Sequence, residues 1–182
     1  KGGSPTTVVE KFDPELDEWA LTGPLFTGRF GHTSTLLNDG RVIVIGGVAN
    51  DGELLDSAEI YDPKIGTWLQ IDSIGTGRSF HEAVLLEDGR VLIIGGLVGD
   101  DMPTITSEVY DPGANTWATS KPINVPRYGH RVTALSNGVL VVSGGIDSFG
   151  KPLTSIETYD AGLNEWVFAG NMRSARAWHS ST

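Results

Sequence analysis

The chain has no cysteine among its 182 residues. Disulfides, cysteine-ligated zinc, iron–sulfur clusters and thiol nucleophiles are therefore excluded within it. The compartment stays open on this count, because secreted proteins can do without disulfides. Long apolar runs are also missing, and the few that occur are too short to span a membrane. Positive charge is scarce. Lysine and arginine number 13 against 23 acidic residues, giving a formal net charge of −10 and a pI near 4.7. Such a surface repels phosphate backbones, which argues against DNA or RNA binding through a broad basic face. The 3.6-residue apolar period of an amphipathic helix is absent throughout.

Glycine, by contrast, is abundant at 24 residues, beside 9 prolines, a composition rich in turns. Hydrophobic residues make up 39% and charged residues 20%, which is globular. The stretch DGRVIVIGG at 39–47 returns as DGRVLIIGG at 88–96 and as NGVLVVSGG at 137–145, a spacing of 49. The same spacing relates Arg29, Arg78, Arg127 and Arg176, and also His32, His81, His130 and His179. Glu10, Glu59, Glu108 and Glu157 keep it. So do Phe12, Tyr61, Tyr110 and Tyr159, the aspartates that follow them, and Trp19, Trp68, Trp117 and Trp166. A repeat of this length is the dominant signal in the chain.

Each unit reads as four short strands. In the first full unit, strand a lies near 31–37, b near 41–46, c near 57–62 and d near 67–71. Asn38-Asp39-Gly40 supplies a tight a–b turn in which Asp and Gly tolerate positive φ. Strand b, rich in Val and Ile, is expected to be buried on both faces. Pro63 ends strand c, because proline cannot donate to a sheet ladder. Four-stranded antiparallel units repeated at this length point to an all-β propeller. The double glycine after b, the Tyr-Asp-Pro of c and the Trp of d resemble the kelch repeat, over essentially the whole chain. The Asp-Gly-Arg-Val style and the lack of cysteine resemble bacterial or archaeal surface kelch proteins, which implies an extracellular or cell-surface location.

Full blades are expected at about 29–72, 78–121 and 127–168. A partial blade at 1–21 carries the end of b, then c and d, and residues 176–182 carry the start of an a strand. That makes about 3.7 units, short of a closed ring of the usual propeller type. The reading is therefore part of a six- or seven-bladed propeller whose remaining blades belong to the same longer chain. A ring of two copies is the alternative.

The glycine doublets (Gly2–Gly3, Gly46–Gly47, Gly95–Gly96, Gly144–Gly145) raise the question of a phosphate loop. Such a loop occurs once, before a helix N-terminus. Here the doublet occurs four times, before a strand. Close approach of blades or a special backbone angle explains it better. The Trp series is expected to pack between blades together with Tyr61, Tyr110 and Tyr159. The Arg and Glu series can pair with each other or with backbone amides. The aspartate of each Tyr-Asp pair is expected to hold the amides of the following turn. The histidines each stand alone in a blade, with no second ligand at metal spacing, so they read as hydrogen-bonding groups. No metal is expected.

A residue that serves one ligand should break the repeat, and loops carry function. The d–a and b–c loops share one face. That face is expected to present Arg29, Arg78, Arg127 and Arg176, with Phe30, Phe80, Tyr128 and Trp178 near its inner rim. The b–c loops add Asn50, Asp51, Glu53, Asp100, Asp101, Met102, Asp147 and Phe149. In kelch proteins this face commonly binds partners, and its arginines often meet acidic groups. The resemblance thus implies a non-catalytic module that binds a protein or a glycan, with no cofactor. No nucleophile–base–orienter set is visible. The alternative is a carbohydrate-active enzyme similar to the sialic-acid mutarotases, with an Arg and a Glu at the channel mouth and part of its site outside this chain. The copper-oxidase type of kelch enzyme needs a cysteine cross-linked to tyrosine, which this chain cannot form. The mark of the enzyme would be a channel carboxylate with a raised pKa beside an arginine.

Overall fold

A computed structural model of the chain describes residues 4–160 and 163–181. Strands β1 (Glu10–Asp13) and β2 (Glu18–Leu21) form a hairpin. The first four-stranded sheet contains β3 (Thr33–Leu36), β4 (Val42–Ile45), β5 (Ala58–Asp62) and β6 (Thr67–Ile71). In the second, β7 (Glu82–Leu85) and β8 (Val91–Ile94) are followed by a small hairpin, β9 (Leu97–Val98) and β10 (Met102–Pro103). Strands β11 (Ser107–Asp111) and β12 (Thr116–Thr119) complete that sheet. The third contains β13 (Arg131–Ala134), β14 (Leu140–Ser143), β15 (Ser155–Asp160) and β16 (Glu165–Asn171). Within each sheet the strands pair antiparallel in chain order. No helix among the described residues is long and apolar enough to cross a membrane.

The a–b–c–d pattern expected from the repeat is therefore the pattern of each sheet, and each sheet is one propeller blade. The four expected strands of the first blade fall within two residues of their expected ends. The expected strand at the start of 176–182 does not form over Arg176–Ser181. A strand needs a hydrogen-bonded neighbour, and no ladder partner meets this segment among the described residues. The doublet Gly2–Gly3 lies outside the described residues.

The core sits between blades, as strand b requires. Val91 and Ile93 of β8 pack with Ile43, Ile45, Ile60 and Tyr110. Leu92 and Ile94, on the other face of the same strand, pack with Ile123, Leu140, Val142 and Trp166. The period of two thus sends alternate residues into two different interblade cores. Each aliphatic side chain buried this way contributes roughly 1.5–3 kcal/mol. The a–b turns differ from expectation in one respect: Asp39 does not adopt positive φ. Its carboxylate instead accepts the Arg41 amide at 3.0 Å and the Arg41 Nε–H at 2.8 Å. Asp88 and Arg90 repeat the arrangement. The aspartates after strand c do hold turn amides: Asp62 accepts from Lys64 at 2.8 Å and Asp111 from Gly113 at 2.8 Å.

Because Ile93 is fully buried in the first of these cores, Ile93→Ala should lower unfolding free energy by roughly 2–5 kcal/mol. Urea denaturation of the two proteins, at equal m-value, measures it.

Candidate functional site

The repeated arginines are the first residues to place. Arg29, Arg78 and Arg127 are buried. Their guanidinium groups do not face a partner, which corrects the expectation for these three. Arg127 shows why. Its Nε donates to the Val125 carbonyl at 3.2 Å. One terminal nitrogen donates to the carbonyls of Gly144 at 2.7 Å and Ser155 at 3.2 Å. The other donates to the Ser155 hydroxyl at 2.9 Å and the Glu157 carboxylate at 2.8 Å. All five N–H groups of a guanidinium are thereby used. Arg29 makes the same five bonds to Thr27, Gly46, Ser57 and Glu59, with the Glu59 contact at 2.5 Å.

Each paired glutamate also accepts amides from the d–a segment. Glu59 takes Phe26 and Thr27, and Glu157 takes Asn124 and Val125. Both side chains of these two ion pairs are fully buried. Burial pulls the Arg127 and Arg78 pKa down from the usual arginine value, and the Glu157 and Glu108 carboxylates oppose that pull. The middle blade is looser. Thr106 stands where Ser57 and Ser155 stand, and its hydroxyl turns to Thr104. The buried Arg78 Nε is left without a partner. Arg176 differs from its three equivalents: it is exposed, with Nε 3.4 Å from the Ser174 carbonyl.

The arginine backbone is as important as its side chain. The Gly47 amide donates to the Arg78 carbonyl of the next blade at 2.8 Å, Gly96 to Arg127 at 2.9 Å and Gly145 to Arg176 at 2.9 Å. Gly96 has φ of +93°, and a Cβ there would lie 2.6 Å from the Ser79 carbonyl oxygen and 2.8 Å from His81 Cβ. Close approach and a left-handed backbone angle thus both require the doublet. The indole N–H groups of Trp68 and Trp117 donate across the same seams, to the Gly23 and Asp72 carbonyls at 2.8 Å. Tyr61, Tyr110 and Tyr159 lie against Trp68, Trp117 and Trp166, with ring centroids 5.0–5.5 Å apart.

The histidines follow the seams too. His81 Nε2 lies 3.0 Å from the Thr33 hydroxyl and His179 Nε2 3.0 Å from the Ser143 hydroxyl. His130 has neither ring nitrogen within hydrogen-bond geometry of a partner. Burial first, then neighbouring charge, pushes His81 and His130 down to about 3. The neighbours are Arg78 for His81, and Arg127 and Arg131 for His130.

The aromatic residues Phe30, Phe80, Tyr128 and Trp178 lie together near the start of the innermost strands. Gly31, Phe80, Gly129 and Trp178 occupy one repeat position and all have positive φ, between 53° and 65°. Their backbones are linked around the axis: Phe80 donates to Gly31, Gly129 to Phe80 and Trp178 to Gly129, at 2.7–3.1 Å. Each aromatic ring covers the glycine before it. A Cβ on Gly31 would meet the Phe80 ring at 2.8 Å, and one on Gly129 the Trp178 ring at 2.8 Å. Phe80 and Trp178 meet edge to face at 5.3 Å, with Phe30 6.1 Å from Phe80 and Tyr128 6.0 Å from Trp178. Trp178 is 56% exposed and Phe30 44%. Holding a bulky residue in the left-handed region costs roughly 1–2 kcal/mol. Such strain concentrates at functional sites.

The b–c loops rise beside these rings. Phe30 pairs with Val48, Ser79 with Leu97 and Tyr128 with Ile146. Each pairing starts a short hairpin that carries Asp51 and Glu53, then Asp100 and Asp101, then Phe149, all exposed. Asp147 is partly buried and caps its own hairpin, accepting the amides of Phe149 and Lys151.

Two residues at the site were not singled out by the sequence. Glu82 and Arg131 form an ion pair on β7 and β13. Arg131 also donates to the His179 carbonyl at 2.5 Å. With Thr33, Ser34, Phe80 and Trp178 they line a pocket of about 360 Å³. Burial raises the Glu82 pKa, against the pull of Arg131. They share a repeat position with Thr33 and Ser180, so the break in the repeat was the available signal. A larger crevice of about 660 Å³ lies between the second and third blades, among Leu92, Leu140, Tyr159 and Trp166. Leu92, Leu140 and Trp166 of the interblade core form its apolar part, and Glu87, Asp88, Arg90 and Lys121 line its polar part.

The sequence matches the KLHDC2/KLHL20/DRC7 Kelch-repeats domain over residues 3–182. This chain belongs to the kelch-repeat family. The solved structure of YjhT is similar to this kelch chain with a TM-score of 0.81 at 19% identity, over 94% of the chain. The kelch chain spans 64% of the length of YjhT. At that identity the likeness establishes the fold. No curated protein matches the sequence significantly.

Two outcomes are expected for the seams. Gly96→Ala should cost on the order of 2–4 kcal/mol, because the new methyl meets backbone at a left-handed φ; urea denaturation reads it. His81 and His130 stay neutral when folded down to about pH 3, while the unfolded chain takes up their protons below about pH 6.5. Stability from these two groups is therefore fully present above pH 6.5 and falls as pH drops toward 3, by at most about 1.4 kcal/mol per pH unit for each. Histidine ring titration by NMR at pH 5 should find both neutral.

Proposed function

We propose that this kelch chain is a non-catalytic binding module that meets a protein or glycan partner with its d–a and b–c loops. The observation that supports this is the half-exposed cluster of Phe30, Phe80, Tyr128 and Trp178, two of its members held in a strained backbone. Rigid aromatic surface of this kind anchors interfaces, and Trp and Tyr are enriched among their energetic centres. Asp51, Asp100, Asp101 and Phe149 on the hairpins form the rim of the same face, and Arg176 joins them as the exposed member of its series. An extracellular or cell-surface setting suits the reading.

One observation favours the rival reading, a carbohydrate-active enzyme of the sialic-acid mutarotase kind. Glu82 is a pocket-lining carboxylate with its pKa raised by burial, paired with Arg131 in a pocket that Thr33 and Ser34 also line. A carboxyl tuned upward holds its proton more readily and is better suited to general acid–base work. Two assays separate the readings. For the binding module, Trp178→Ala should cut partner capture from a lysate at least tenfold with an unchanged circular dichroism spectrum; undiminished capture would sink it. For the enzyme, one-dimensional NMR should show sialic-acid anomers interconverting faster with protein than without, and Glu82→Gln should abolish the gain. Interconversion at the uncatalysed rate removes that reading.

A further inference from the structure

Burial of Arg29, Arg78 and Arg127 changes the electrostatic character of the loop face. Their charges are neutralised inside the blades by Glu59, Glu108 and Glu157. What the face presents instead is aromatic at its centre and acidic at its rim. Asp51 and Glu53 stand on the first hairpin, whose base pairs with Phe30. Asp100 and Asp101 form the tip of the second, both at left-handed φ of 56° and 53°. Positive groups lie on the same loops too, the exposed Arg173 of the d–a segment after the third sheet among them. Lys151 is on the third hairpin and Arg176 is two residues before Trp178. Arg131, in the pocket, is held by Glu82, so that pair is neutral as a unit.

We infer that the Phe30–Phe80–Tyr128–Trp178 cluster takes a basic peptide segment of a protein partner, with an arginine or lysine side chain seated on the rings. This inference rests on the binding-module reading above and names the partner's chemistry. Aromatic faces attract guanidinium and ammonium groups through the ring quadrupole. The acidic hairpins add the long-range attraction, since complementary charge governs steering and partner choice. The net charge of −10 has the same sign. An acidic partner would meet four exposed carboxylates around the cluster and would find most of the repeated arginines unavailable.

The test uses the full chain and three fluorescein-labelled decapeptides, alternating arginine–serine, glutamate–serine and glycine–serine, in anisotropy titrations. The indole N–H signal of Trp178, assigned by its loss in Trp178→Ala, reports the location. The arginine peptide should bind at least tenfold tighter than the other two and shift the Trp178 signal. Trp178→Ala should weaken it about tenfold, and the double change Asp100→Asn with Asp101→Asn about three- to tenfold. Arginine-peptide binding that leaves the Trp178 signal still, or that survives Trp178→Ala intact, would show charge attraction without the cluster and overturn the inference. Equal or tighter binding of the glutamate or glycine peptide, with a Trp178 shift, would overturn the basic chemistry and leave the binding face standing. No Trp178 shift with any of the three would count against both.

Discussion

One buried guanidinium per blade organises this molecule. In Arg29 and Arg127 all five N–H groups are matched, by acceptors from the d–a segment, the end of strand b, the start of strand c and the glutamate that follows. The glutamate in turn holds the amides of the d–a segment. The same arginine in the next blade accepts, on its carbonyl, an amide from the preceding blade's second glycine. A charge removed from water needs its opposite charge held close, and each of the three buried arginines has its glutamate. The arginine, the glutamate, the doublet and the d–a backbone therefore move together or not at all. This is why they repeat at one spacing, and why aliphatic strands alone would not define the seam.

The scaffold accounts for the free surface by subtraction. Once the bracket has neutralised three arginines, the loop face owes its character to residues that differ from blade to blade. Phe80 and Trp178 take positions filled by Gly31 and Gly129, and each ring lies on the glycine before it. Glu82 and Arg131 replace Thr33 on the inner strands. The hairpins beyond the doublets carry the acidic rim. Rigid blades with variable loops let a site change without disturbing the core.

The architecture was legible in the sequence because every blade repeats the same packing problem. The period, the four strands, the two-faced burial of Val91–Ile94 and the Trp–Tyr pairs all follow from the pattern. The aromatic cluster was legible because its members break that pattern. The arginines misled in part, since a polar residue beside a loop reads as surface; only the three-dimensional return of Gly46, Ser57 and Glu59 to Arg29 shows it buried. Glu82 and Arg131 were missed because strand positions carry weaker expectations of function than loops. Their pairing crosses two blades, 49 residues apart, and only the folded chain brings them together.

The central claim is that the Arg–Glu bracket holds the blades and takes no part in recognition. A double-mutant cycle on Arg127→Met and Glu157→Met, read by urea denaturation, tests it most directly. Each single change should cost about 3–5 kcal/mol, because it strands a buried charge. The double variant should recover much of that loss, giving a coupling above about 2 kcal/mol. Single costs below about 1 kcal/mol with no coupling would contradict the account.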